Sequence, residues 1–92
     1  MRPEDAQSWA RLGESLVRAA EGRIGGDAEA AFREALKRDP GQLGARYFLG
    51  EAALQRNDPA GVRAMWEPLI ATLDPTDTRR IDLERRLPRA AS

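Results

Sequence analysis

The chain has 92 residues, 15 basic and 15 acidic, with no histidine and no cysteine. One small domain is all this length supports, and the balanced charge argues against a dedicated nucleic-acid or anionic-membrane binder. Without cysteine there is no disulfide, thiolate metal site or thiol nucleophile, and without histidine the commonest general base and metal ligand is missing, so neither cofactor nor metal is expected.

Only Ala, Leu, Arg and Glu are abundant and aromatics make up 5% of the chain, a composition that predicts an all-α protein. Trp9, Leu12, Leu16, Val17 and Ala20 recur at one-turn spacing and predict a first amphipathic helix. The glycine-rich stretch Glu21-Gly22-Arg23-Ile24-Gly25-Gly26 reads as a loop, and Asp27 as the N-cap of a second helix carrying Ala28, Ala31, Phe32, Ala35 and Leu36. Asp39-Pro40-Gly41 stops it. A third helix is expected from about Gln42 to Gln55, then a turn at Asn57 with Asp58 as N-cap and Pro59 in the first helical position. The fourth helix carries Val62, Met65, Trp66, Leu69, Ile70 and Leu73, with a kink expected at Pro68, which has no amide hydrogen for the Ala64 carbonyl. A weakly amphipathic fifth segment runs from Thr76 to Leu87. No run is long and apolar enough to span a bilayer, and no signal peptide is visible, so no direct membrane contact by this segment is expected.

The chain repeats itself. Phe32 and Trp66 stand 34 residues apart, as do Ala35 and Leu69, and the triplet Leu12-Gly13-Glu14 recurs as Leu49-Gly50-Glu51. Trp9-x2-Leu12-Gly13, Ala28-x3-Phe32 and Pro40, followed by Leu49-Gly50, Val62-x3-Trp66 and Pro75, resemble the tetratricopeptide (TPR) pattern. Arg46 replaces its tryptophan, and Leu16 and Ala53 stand at its usual aromatic. The resemblance implies a right-handed array of antiparallel helix pairs: repeat one at about residues 6–41, repeat two at about 42–75, and a capping helix at about 76–88. A glycine weakens a helix by roughly 1 kcal/mol relative to alanine. Gly13 and Gly50 are therefore expected where each pair crosses closely, under the ring of Phe32 or Trp66. At the equivalent place in the last helix stands Glu84, as suits a helix with no partner to follow. Pro3-Glu4-Asp5 sits as if closing a preceding repeat, and two repeats with a cap fall short of the usual minimum. The expectation is a piece of a longer chain or a small protein that self-associates.

Ala31-Phe32 with Ala35-Leu36, Asp39-Pro40, Ala45-Arg46-Tyr47-Phe48-Leu49-Gly50 and Trp66 with Leu69 resemble the C-terminal repeats of bacterial CycH-type cytochrome c biogenesis proteins. That resemblance implies a periplasmic chaperone-like domain that holds the C-terminal helix of apocytochrome c; the wider TPR resemblance leaves a cytoplasmic scaffold or adaptor, working through homo-oligomerisation or another helical partner, as the alternative.

TPR arrays bind peptides in a groove lined by the first helix of each pair. Projected onto this chain, the groove carries Gln7, Ala10, Glu14, Val17 and Arg18, then Tyr47, Glu51, Leu54 and Gln55, then Thr78, Ile81 and Arg85. Glu14 and Glu51 would repel a peptide carboxylate and suit a basic or amphipathic helix; equally, they are solvated charges paired with nearby arginines. Trp9 and Trp66 read as core and Tyr47 as an exposed aromatic. Arg79, Arg80, Arg85, Arg86 and Arg89, interleaved with Asp77, Asp82 and Glu84, read as a salt-bridged solvated face. Nothing supplies a catalytic pocket or polarising group, so the expected function is binding, not chemistry.

Overall fold

In a computed structural model the described residues are 3–88, with side chains from residue 5 onward; Arg89 of the basic tail lies outside them. They form α1 (Pro3–Ala19), α2 (Gly26–Arg38), α3 (Leu43–Gln55), α4 (Pro59–Ala71) and α5 (Thr78–Arg86), with no strand among the described residues. This is the expected all-α, TPR-like architecture. α1 starts earlier than Trp9, with Pro3 in the first helical position, where its missing amide hydrogen costs nothing.

Local chemistry sets the helix ends. α1 closes with the Gly22 amide donating to the Val17 carbonyl at 2.9 Å and the Glu21 amide to Arg18 at 3.1 Å; α3 repeats this with Asp58 to Ala53 at 2.9 Å and Asn57 to Leu54 at 3.0 Å. Both are Schellman closures. Their left-handed residues are Glu21 (φ 55°) and Asn57 (φ 57°), so despite the nearby glycines the first closure puts a glutamate in the strained position. The expected N-cap at Asp27 is corrected: Gly25 is the cap, and Asp27 lies in the first turn, accepting from the Ala28 amide at 2.8 Å. Gln42 caps α3 through the Ala45 amide at 2.8 Å, Asp58 caps α4 through Gly61 at 3.1 Å, and Asp77 caps α5 through Arg79 at 2.8 Å. α4 runs through Pro68 and closes at Thr72; Pro68 and Ala64 are both exposed, which leaves the unserved carbonyl on the watered side of the helix.

Two antiparallel pairs follow, α1 with α2 and α3 with α4. A β-carbon at Gly13 would lie 2.6 Å from Cε1 and Cζ of Phe32, and one at Gly50 would overlap the Trp66 indole. Phe32 and Trp66 are completely buried. The glycines are where the helices approach, and the local helix penalty is offset by burying a whole aromatic ring. Phe32 centres one apolar cluster across α1, α2 and α3; Trp66 centres a second that draws Leu83 from α5, and Met65 packs against both.

The successive first helices of each pair differ on the face that meets the preceding pair. In α3 this face is Ala45, Phe48, Leu49 and Ala52, of which Ala45, Leu49 and Ala52 are buried. One period of 34 residues on, α5 places Arg79, Asp82, Leu83 and Arg86 there. Three of these four carry charge, and Leu83 is the one that is buried. In α1 the matching residues are Ser8, Arg11, Leu12 and Ser15, all exposed. Leu12, expected on the apolar face, is 47% exposed where its counterpart Leu49 is 3% exposed, because α2 covers Leu49 and no described helix covers Leu12.

Candidate functional site

A cleft of about 440 Å³ opens between α3, α4 and α5. Its floor is apolar: Leu69 of α4, Leu73, which lies just past the end of α4 rather than within it as expected, Leu83 of α5, and Leu43, Tyr47 and Phe48 of α3. Gly44 opens the wall at the start of α3, and Glu14 of α1, Arg79 and Asp82 supply the charged rim. Leu43 is 42% exposed here.

Of the residues expected to form the groove, Glu14 and Tyr47 line this cleft. Glu14 has no ion-pair or hydrogen-bond partner among the described residues. Glu51, one turn beyond Tyr47, is paired with Arg86 of α5. The two readings of the glutamates thus divide: Glu51 is a paired charge, and Glu14 is an open acidic point beside an apolar floor. Gln7 and Arg18 are exposed on α1 outside the cleft, with Arg18 donating to Ser15 at 3.4 Å. Leu54 packs against the second apolar cluster. Gln55 is committed to the α1–α2 connection: its side-chain oxygen accepts from the Ile24 amide at 3.0 Å and its Nε2 donates to the Gly22 carbonyl at 3.0 Å. Ala10 and Val17, expected in the groove, are instead buried in the first cluster with Ala45 and Leu49 of α3. Thr78, Ile81 and Arg85 are exposed but do not line the cleft; their neighbours Arg79, Asp82 and Leu83 do. The floor residues of α4 and α5 escaped the sequence reading, although the charges standing one period after Ala45, Phe48 and Ala52 were the signal.

The aromatic side of the cleft is tied to α5 by Arg86. Its guanidinium lies 4.8 Å from the Trp66 ring centroid, donates through Nη1 to the Tyr47 hydroxyl at 3.1 Å, and pairs through Nη2 with Glu51. Partial burial disfavours the charged guanidinium, but the bonds to Glu51 and Tyr47 outweigh it and raise its pKa above the ordinary arginine value. Tyr47, expected as an exposed aromatic, is half-buried and stacks on Trp66 with ring centroids 6.0 Å apart. Trp66 is core, as expected; Trp9 is half-buried beneath Arg38, whose guanidinium lies 5.2 Å from its ring. Much of the remaining basic tail is salt-bridged: Arg79 to Asp77 at 2.7 Å and Arg80 to Glu84 at 3.4 Å.

Paired antiparallel helices with a glycine under an aromatic ring in each pair, and a cleft built of apolar and charged side chains, define a helical-repeat interaction protein. The tetratricopeptide repeat profile matches residues 25–79, more than half of the chain, and the chain belongs to that family. Its repeats generally mediate protein–protein interaction and carry no catalytic machinery of their own. No curated protein and no solved structure matches the chain significantly. No helix among the described residues is long and apolar enough to cross a membrane.

Proposed function

We propose that this TPR domain binds an amphipathic helical segment of a partner protein, apolar side down in the α3–α4–α5 cleft and basic side toward Glu14. The observation that carries the reading is the apolar floor of Leu69, Leu73 and Leu83 next to Glu14, an acidic side chain without a partner among the described residues. Burial of apolar surface supplies the affinity, and the acid selects a basic neighbour over an acidic one. Tyr47 and Glu51 form the inner wall; Gln7 and Arg18 extend the contact along α1, and Leu54 and Gln55 bound it at the far end of α3. The domain does no chemistry and uses no cofactor.

The ligand to try first is the C-terminal helix of an apocytochrome c, the partner implied by the likeness to cytochrome c biogenesis proteins, which would also place the domain in the periplasm. Titration of the isotope-labelled chain with that peptide should shift the amides of Glu14, Tyr47 and Leu83. An unrelated basic amphipathic helix that binds as well would favour a general adaptor. No shift with either peptide would remove the binding site from this cleft.

A further inference from the structure

The best-formed binding geometry in the molecule is one that the chain fills itself. Beside the cleft, the Arg86 guanidinium rests on the indole of Trp66, pairs with Glu51 and donates to the Tyr47 hydroxyl. The three receiving residues do not need Arg86 to hold their places. Tyr47 and Glu51 are one turn apart on α3, and the Tyr47 hydroxyl donates to Oε1 of Glu51 at 3.1 Å. Nε1 of Trp66 donates to the Tyr47 backbone carbonyl at 3.1 Å, and the two rings stack within 11° of parallel. Gly50 admits the indole. The seat is therefore built by α3 and α4, and only the plug comes from α5.

That plug sits on a nine-residue helix held by few groups: Leu83 in the second apolar cluster, Leu87 against it, and Arg80 donating to the Leu73 carbonyl at 2.8 Å. Leu83 is the buried residue of α5, and charged residues occupy the face that is small and apolar in α3. The Arg86 side chain is 32% exposed and that of Glu51 20% exposed, so the seat is open to water. A planar guanidinium suits two aromatic faces and a carboxylate; an ammonium group satisfies the charge but cannot lie flat on the indole. Exchange of one guanidinium for another keeps Glu51 paired throughout, whereas withdrawal of Arg86 alone would leave that carboxylate without compensation.

We propose that Glu51, Tyr47 and Trp66 form a guanidinium-binding site for an arginine of the partner helix, and that Arg86 fills this site until that arginine displaces it. The proposal rests on the reading that a helical partner docks in the adjoining cleft. Arginine is thereby the specificity-determining residue of the partner, and α5 is a strap that yields to it.

The test uses the full chain with Trp9→Phe, so that Trp66 is the sole tryptophan and is excited selectively over Tyr47, and with Arg86→Ala. Methylguanidinium is the probe and methylammonium the control, at constant ionic strength. Methylguanidinium should give a saturable change in Trp66 fluorescence, methylammonium none, and adding Glu51→Gln should weaken the response by about tenfold or more, the scale of a charge-assisted pair. If Arg86→Ala does not fold, Arg86→Lys serves instead, because methylguanidinium should displace the poorer lysine plug. A synthetic alanine–leucine helix with one arginine should then bind the Arg86→Ala chain more tightly than the unsubstituted chain, and more tightly than its lysine counterpart by about tenfold. A folded variant that does not respond to methylguanidinium, or responds equally without Glu51, overturns the site. Peptides that bind regardless of arginine or Arg86 leave cleft docking intact and overturn the arginine site alone. Methylguanidinium binding with no helical peptide bound overturns both the docking reading and the partner role proposed here.

Discussion

Gly50 and Trp66 occupy adjoining space that admits no β-carbon: one at residue 50 would lie 2.7 Å from Cε2 of the indole and closer still to Nε1 and Cδ1. Trp66 cannot yield, because it is completely buried and its Nε1 is committed to the Tyr47 carbonyl. Glycine-to-alanine changes in helix interiors ordinarily stabilise by about 1 kcal/mol. Gly50→Ala should instead destabilise by about 2 kcal/mol or more, the scale of an overpacked core. Gly13→Ala should act in the same direction through Phe32. Gly26→Ala, which meets nothing within 4 Å, should be neutral or stabilising. Urea unfolding followed by circular dichroism separates the three, and a stabilised Gly50→Ala would refute the close crossing.

Glu21 adopts a left-handed conformation with no glycine's freedom. Its side chain is exposed, so Glu21→Gly removes strain without removing packing. The melting temperature should rise, by an amount corresponding to about 0.5–1 kcal/mol. Asn57→Gly, at the matching closure of α3, should gain less, since asparagine tolerates this conformation.

Gln55 ties α3 to the loop after α1 through two exposed hydrogen bonds. Gln55→Ala should cost about 1 kcal/mol and speed hydrogen exchange at the Ile24 amide. If Gln55 also touches ligand, peptide affinity should fall as well; unchanged affinity would assign it to loop closure alone.

Acid should loosen the ends of α2 and α5 first. The bond from Arg38 holds the Glu34 carboxyl below its usual range, the backbone bond from Thr76 does so for Asp74, and for Asp77 it is the side-chain and then the backbone bond from Arg79. A carboxyl with a depressed folded-state pKa stabilises above its unfolded value and loses that contribution as pH falls through the folded one. Stability should therefore hold from neutrality to about pH 4 and decline below it. Asp77→Asn keeps an N-cap but cannot titrate, so its chain should lose less between pH 4 and pH 2.5 than the unsubstituted one, by urea midpoints at each pH.

The helices and their repeat were legible because each rests on residues close in the chain: one-turn apolar spacing, capping side chains, and a glycine 19 residues before Phe32 and 16 before Trp66. A helix crossing leaves a local mark, since only glycine fits beneath a buried ring. The binding surface left no comparable mark. Tyr47 and Glu14 were found by projecting the family groove, yet Ala10 and Val17 projected equally well and are buried, because whether a first helix shows its face depends on what lies against it.

The amino-acid sequence by itself determined five helices, their pairing and the two glycine crossings, all consequences of periodicity and steric size. Only the tertiary structure decided where the cleft opens and which charges are spoken for. Glu14 and Glu51 are the same residue in the same motif, yet one is open and the other holds Arg86, 35 residues away. That difference arises because α5 brings Arg86 to Glu51, whereas one period earlier α3 has Ala52 in the matching place and so no charge to offer Glu14, a pairing between distant residues that no local pattern encodes.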